Sequence, residues 1–333
     1  MKIKIYDSKG LISYNPNNLN SKGIGGVENC IVNLAKELSR LNNEVTVLIN
    51  CDKDGVYDGV IYKNFNDYVI EDCDLFIGCE SFPETFKANK TINWVHRPES
   101  RDARRFPVDK IVCVSEWARK TFLQDCSNAI VIENGIEPIF FETPNKKMPH
   151  RIIYAGYTGK GGMTVLPRIY NKLNEYYSDM EMIVCGGGGL WGKSDDSFKQ
   201  IYKSLIDCGI IYVGQVGTEI LANLMKSSSV LINPVGQHHR ETFGLVVAQA
   251  MASGCIPVSS GEGNLSNLIG DNGITIFGEI NSDEWIDESI NKIKEIFSLD
   301  YYTIEAGRNF CKRRILNFNW NNTALEFLKL CNK

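Results

Sequence analysis

An α/β architecture of two domains, each a parallel sheet covered by helices, follows from three features of the sequence. Short apolar segments alternate with amphipathic helical segments from one end of the chain to the other. Many of the short segments are apolar on both faces, as strands buried between two helix layers are. The length of 333 residues suits two cores better than one. The join falls in Glu142 to Pro149, a polar stretch with two prolines and no periodicity.

Strands are expected at Lys2–Tyr6, Val45–Ile49, Leu75–Gly78, Thr91–Val95, Ile111–Val114 and Ala129–Glu133 on the N-terminal side. Arg151–Ala155, Met182–Cys185, Ile210–Val213, Val230–Asn233, Ile256–Ser259 and Gly273–Ile276 follow on the C-terminal side. Apolar residues recur at helical spacing over Glu28–Leu41, Glu116–Gln124, Val165–Tyr177, Ser197–Cys208, Thr218–Lys226 and Asp283–Phe297. Open parallel sheets of this kind bind ligands at the carboxyl ends of their strands.

Composition narrows the function classes. A hydrophobic content of 43% with 23% charged residues belongs to a water-soluble globular chain. A net charge of −4 supplies no general attraction to nucleic acid. No apolar run is long enough to span a bilayer, and MKIKIYDSKG reads as a first strand rather than a secretory segment. The eleven cysteines are irregularly spaced, contain no Cys-x-x-Cys pair and sit mostly in apolar runs such as IVCVS. Buried, reduced thiols in a cytoplasmic compartment are the plain reading.

The most informative segment is VLINPVGQHHRETFGLVVAQAMASGCIPV, from Val230 to Val258. A strand ends at Asn233 and Pro234, and a loop carries Arg240 into the turn Glu241-Thr242-Phe243-Gly244. An apolar helix, Leu245 to Ala252, then runs to a break at Gly254 and a further strand. A helix N-terminus presents unpaired N–H groups and partial positive charge, which suits a phosphate. Gly244 permits close backbone approach, and the Glu241 carboxylate accepts from hydroxyls. A phosphate-bearing sugar needs both.

This segment resembles the Glu-x(7)-Glu region of retaining GT-B glycosyltransferases of the glycosyltransferase family 4 (group 1) type. Glu241, Phe243, Gly244, Leu245, Ala250, Met251, Ala252, Gly254, Pro257 and Val258 match its pattern, and Gln249 departs from it by replacing the second glutamate. The resemblance implies that Glu241 meets sugar hydroxyls and that residue 249 meets the ribose. A glutamine still accepts a hydrogen bond there, without the roughly twofold strength that charge adds. Lys160, in Gly156-Tyr-Thr-Gly-Lys160-Gly-Gly162, corresponds to the family's diphosphate-binding lysine, while Tyr157 stands where an arginine is frequent and Arg240 is a substitute. His96, closing Trp94-Val-His96, corresponds to an imidazole facing the transferred sugar; a structural histidine is the alternative.

Gly25-Gly26 opens the first long helix. A nicotinamide fingerprint is disfavoured, because a long loop separates it from the first strand and Glu28 replaces the last glycine. The resemblance instead puts Gly25 and Gly26 beside the donor phosphate or the acceptor. His238 and His239 have no third metal ligand at suitable spacing, so no metal is expected. Gly186 to Gly189 shapes a loop, and Arg97, Arg101, Arg104, Arg105 and Lys110 form either a solvated loop or a basic surface for an anionic acceptor.

The resemblance implies a GT-B fold of two Rossmann-like domains facing across a cleft. It implies that residues 1–145 form the acceptor side and 146–317 the nucleotide-sugar domain. Phe318-Asn-Trp320 starts a closing helix, 318–333, that packs back on the first domain. It implies transfer from a UDP-, GDP- or ADP-sugar to a glycan, lipid or small-molecule hydroxyl, with retention and no cofactor or metal. The basic segment Arg97–Lys110 offers a peripheral contact at the inner face of a membrane. A GT-B epimerase or phosphorylase, or a sugar-nucleotide-binding protein without turnover, remains open.

Overall fold

The computed structural model describes residues 1–67, 72–97, 104–142 and 146–331. The chain divides into two compact units. Met1–Asn20, Ile24–Gly135 and Phe318–Lys333 make the first; Ser21–Gly23 and Ile136–Asn317 make the second. The change of unit at Gly135 comes ahead of the expected polar join, of which residues 143–145 lie outside the described residues. Burial is the reason: Ile136 and Phe140 are fully buried, so these apolar side chains claim the segment for the second unit before the polar stretch begins.

Unit 1 contains β1 (Lys2–Asp7), α1 (Pro16–Ser21), α2 (Gly26–Arg40), β2 (Glu44–Ile49), β3 (Gly55–Tyr57), β4 (Val60–Asn64), β5 (Cys73–Gly78) and β6 (Ala88–Val95). β7 (Lys110–Cys113), α3 (Glu116–Phe122) and β8 (Ala129–Val131) complete its N-terminal part. The strand order is β3-β4-β2-β1-β5-β6-β7-β8, and every pairing is parallel except β3 with β4. That antiparallel hairpin was not foreseen. Its signal was the dipeptide Asp58-Gly59, both residues at positive φ, as a two-residue hairpin turn requires.

Unit 2 contains β9 (Met148–Ala155), α4 (Leu166–Asn174), β10 (Glu181–Cys185), α5 (Lys199–Asp207), β11 (Ile211–Gly214), α6 (Thr218–Ser227) and β12 (Ser228–Asn233). It continues with α7 (Leu245–Ala252), β13 (Ile256–Ser260), α8 (Leu265–Ile269), β14 (Ile274–Ile276), α9 (Asp283–Phe297) and α10 (Tyr301–Ile315). Its six strands are all parallel, in the order β11-β10-β9-β12-β13-β14. α10 escaped the sequence reading because only Arg308, Cys311 and Ile315 of it are buried, which leaves a weak apolar stripe. The last helix, α11 (Trp320–Lys329), belongs to unit 1: it packs on α2, and Phe327 meets Trp94 edge to face at 5.4 Å.

Both sheets reverse their winding at a central strand pair, β1/β5 in unit 1 and β9/β12 in unit 2. The loops leaving the carboxyl ends of such a pair diverge and open a crevice. The other end of unit 2 is closed by Lys147. Its Nζ donates to the carbonyls of Met225 (3.2 Å), Ser228 (2.6 Å) and Ser253 (2.9 Å), which lie at the C-terminal ends of α6 and α7. One ammonium thus adds a charged donor to carbonyls at the helix ends, where the helix dipoles favour a cation.

Replacing Lys147 by Met removes hydrogen bonds to a charged donor while keeping most of the packing. Lys147→Met should lower stability by about 3 kcal/mol in urea titrations, with a nearly unchanged m-value. A variant as stable as the parent would show that water serves those carbonyls equally well.

Candidate functional site

In unit 2, β9 runs into a loop with a 3-10 turn at Thr158–Lys160, and β12 runs into Pro234 and the loop to Glu241. These neighbouring strand ends flank the switch point, and their loops touch. A Cβ on Gly162 would lie 2.4 Å from the Pro234 carbonyl oxygen, so only glycine lets the two backbones pass. The approach brings Lys160 Nζ into an ion pair with the Glu241 carboxylate. About a quarter of each side chain is exposed. The sequence reading placed both residues at the site; their direct pairing required the fold.

The turn holding Glu241 is anchored from β13. Glu241 and Gly263 form an isolated parallel bridge, and the Glu241 carbonyl accepts from Asn264 N–H at 2.7 Å. Asn264 Nδ2 donates to the Phe243 carbonyl at 3.0 Å, and the Phe243 ring is buried. Gly244, at φ +95°, is the N-cap of α7 and turns the chain into the helix. Thr242 and Leu245 are half-buried beside it, while Arg240, His238 and His239 are exposed. The structure therefore brings Lys160, Glu241, Thr242, Phe243, Gly244 and Leu245 to one strand-end cluster next to a helix N-terminus.

Gln249 occupies the second turn of α7 and is 3% exposed. Its Nε2 donates to Glu137 Oε2 at 3.3 Å, and Glu137 is itself buried. Sequence reasoning missed Glu137, although a carboxylate in the apolar context Ile136-Glu137-Pro-Ile was a visible anomaly. Tyr157, at the position where the family pattern favours arginine, stacks on Trp191 with centroids 4.7 Å apart and planes 5° from parallel. Gly186 to Gly189 lies at the end of β10, where Gly188 N–H donates to Asp195 Oδ1 at 2.9 Å.

In unit 1 a second charged group gathers at the β1/β5 switch. Asp7 ends β1 and accepts from the Tyr14 hydroxyl at 3.0 Å. Glu80, just beyond β5, accepts from His96 N–H at 2.7 Å, from the Arg97 N–H and from Arg97 Nε at 3.1 Å. Arg97 thus pairs with Glu80 while its side chain stays 42% exposed. His96 is buried at the end of β6, where burial and then the Arg97 charge push its pKa down to about 3 and keep the ring neutral. Gly25 is buried and Gly26 exposed at the start of α2. Glu28 follows them in the first turn; burial, reinforced by Asp7 and opposed by Arg97, raises its pKa to about 7.

Of the remaining basic segment, residues 98–103, with Arg101, lie outside the described residues. Arg104 donates to the Phe122 carbonyl, Arg105 lies over the Phe106 ring, and Lys110 is partly buried at the start of β7. Among the described residues no group of three or more His, Cys, Asp or Glu side chains could hold a metal, and no helix is long and apolar enough to cross a membrane. All eleven thiols are free.

Comparison with known proteins meets this geometry. Residues 135–310, more than half of the chain, match the family model of glycosyl transferases group 1. The chain belongs to that family and is a glycosyltransferase. Sucrose-phosphate synthase from Thermosynechococcus elongatus superimposes with a TM-score of 0.74 at 14% identity, over 99% of this chain and 98% of that one. A glycosyltransferase from Rickettsia africae gives 0.73 at 15% identity, over 99% and 97%. Anabaena HepE, in complex with UDP and glucose, gives 0.69 at 16% identity over the full length of both chains. The fold class, two parallel-sheet α/β domains, is that of the GT-B glycosyltransferases. No curated protein matches by sequence.

The raised Glu28 carboxyl has a measurable signature. The folded chain keeps a proton that the unfolded chain releases, so this contribution is complete below about pH 4.5 and is lost as pH rises toward 7. Depressed His96 acts with the opposite slope, losing stability as pH falls below 6.5. Comparing Glu28→Gln with the parent cancels the His96 part. The variant should show a smaller decline in urea midpoint between pH 4.5 and 7, and an identical pH profile would remove Glu28 from the charged cluster around Asp7.

Proposed function

We propose that this glycosyltransferase is a retaining enzyme of the family 4 type that takes its glycosyl group from a nucleotide sugar held by unit 2. The observation that carries the reading is the pairing of Lys160 with Glu241 at the β9/β12 switch, beside the N-terminus of α7. A partly exposed ion pair is worth only about 1 kcal/mol or less. A diphosphate offers Lys160 more charge, and the N–H groups of Gly244 and Leu245 add to its cradle. Lys160 then turns from Glu241 to the diphosphate, and Glu241 is released to accept from sugar hydroxyls.

In the transition state negative charge grows on the leaving diphosphate. A cation fixed there stabilises the transition state more than the bound donor. Phosphate neutralisation by Lys160, assisted by Arg240 and the helix, makes a metal unnecessary in this reading. The acceptor hydroxyl attacks from the face the leaving group departs, and its proton passes to the phosphate. Gly25, Gly26 and neutral His96 serve the acceptor side in unit 1. The acceptor is a glycan or a lipid-linked sugar, with Arg104 and Arg105 as contacts for an anionic group at the inner face of a membrane.

A UDP-sugar heads the donor candidates because the HepE structure carries UDP and glucose. Thermal shift with UDP-, GDP- and ADP-sugars tests the reading directly: the cognate donor at 100 times its dissociation constant adds about 2.7 kcal/mol. Absence of any shift would overturn it. A shift without sugar transfer would indicate a binding protein, and transfer that needs inorganic phosphate would indicate a phosphorylase.

Two further outcomes follow from the same chemistry. Lys160→Ala should lower turnover by about 10²–10³ with little loss of stability; turnover equal to the parent would displace Lys160 from the site. Transfer should also continue in excess EDTA, and loss of activity restored by Mn²⁺ or Mg²⁺ would place the enzyme in a metal-dependent class.

A further inference from the structure

Position 249 is where this chain departs from its family pattern, and the structure supplies a partner for the departure. Gln249 and Glu137 are both buried, and the amide Nε2 donates to the Glu137 carboxylate at 3.3 Å. Glu137 precedes the 3-10 turn Pro138–Phe140, which packs on α6 and α7. The carboxylate thus reaches α7 from a different segment of the same unit.

An ionised carboxylate only accepts hydrogen bonds, whereas a glutamine amide has one donor end and one acceptor end. Facing Glu137, the amide has a single favourable orientation, with Nε2 toward the carboxylate and Oε1 away from it. A hydrogen bond to an anion is stronger than a neutral one, and it polarises the amide so that Oε1 becomes a better acceptor. Here the carboxylate beside α7 is that of Glu137, which Gln249 contacts. A glutamate at 249 would set two carboxylates within hydrogen-bond distance with no proton between them, which two buried acids cannot sustain while both are ionised.

We propose that Glu137 is a positioning residue for donor binding: it orients and polarises Gln249, whose Oε1 accepts from a ribose hydroxyl of the nucleotide. This rests on the donor reading above. The carboxylate and the amide act as one pair, so neither can be changed alone without cost and the two can be exchanged together.

The experiment is calorimetric titration of UDP into the parent, Glu137→Gln, Gln249→Glu and the exchanged double variant E137Q/Q249E, with thermal melting of each. Each single variant should bind UDP about five- to tenfold more weakly, and should raise KM for the donor while leaving kcat within about twofold. The exchanged variant restores one carboxylate and one amide, and should return to within about twofold of the parent in both stability and affinity. UDP affinity equal to the parent in Glu137→Gln would reduce Glu137 to a packing role and overturn the proposal. So would an exchanged variant that folds like the parent yet binds no better than the singles. If the parent itself binds none of UDP, GDP and ADP, the donor reading falls and this proposal falls with it.

Discussion

The parallel pairing of β9 with β12 is the constraint on which unit 2 depends. These two strands are far apart in sequence, and the chain leaves them in opposite directions across the sheet. Their carboxyl ends must therefore lie side by side with nothing of the sheet above them. Whatever the two loops carry is forced together: a glycine-rich turn with Lys160 from one, and the Glu241 turn with the start of α7 from the other. The contact of Gly162 with the Pro234 carbonyl marks how close the two backbones come. A side chain at that point would separate the cation from the carboxylate.

The opposite end of the same layer is treated differently. There the helices end, and their carbonyls converge on one ammonium, that of Lys147. A lysine bound by three carbonyls is satisfied and immobile. Lys160 is paired with a single carboxylate, and about a quarter of each side chain is exposed. The number of partners and the access of solvent separate Lys147 from Lys160, and residue type alone does not reveal the difference. The same contrast separates Glu80, which holds two backbone N–H groups and a guanidinium, from Glu28, whose desolvation raises its pKa to about 7.

Unit 1 repeats the principle on a sheet of its own. Asp7, Glu80 and His96 all stand just at or beyond the ends of β1, β5 and β6, so their proximity follows from strand order. Of these only His96 was singled out in the sequence. Asp7 and Glu80 share a signal that was available: each is a carboxylate immediately after an apolar strand, where a surface residue would be expected and a buried one is found. Glu137, next to the 3-10 turn Pro138–Phe140, is likewise a buried carboxylate among apolar neighbours. Carboxylates embedded in apolar context at strand ends are as informative in this chain as its glycine-rich loops.

The amino-acid sequence by itself determined the α/β class, most of the parallel strands and the run from Glu241 through α7, because each rests on local periodicity or on contiguous residues at fixed offsets. It could not show α10, whose buried face is narrow. Nor did residue spacing alone establish the hairpin β3–β4, though its Asp-Gly turn was legible. What only the tertiary structure decided is partnership between distant residues: Lys160 with Glu241, Gln249 with Glu137, Arg97 with Glu80. The physical reason is common to all three. Hydrogen bonds and ion pairs act over a few ångströms, and in a parallel sheet the groups within that range belong to segments separated by at least one whole strand, so strand order and not sequence distance chooses the partners.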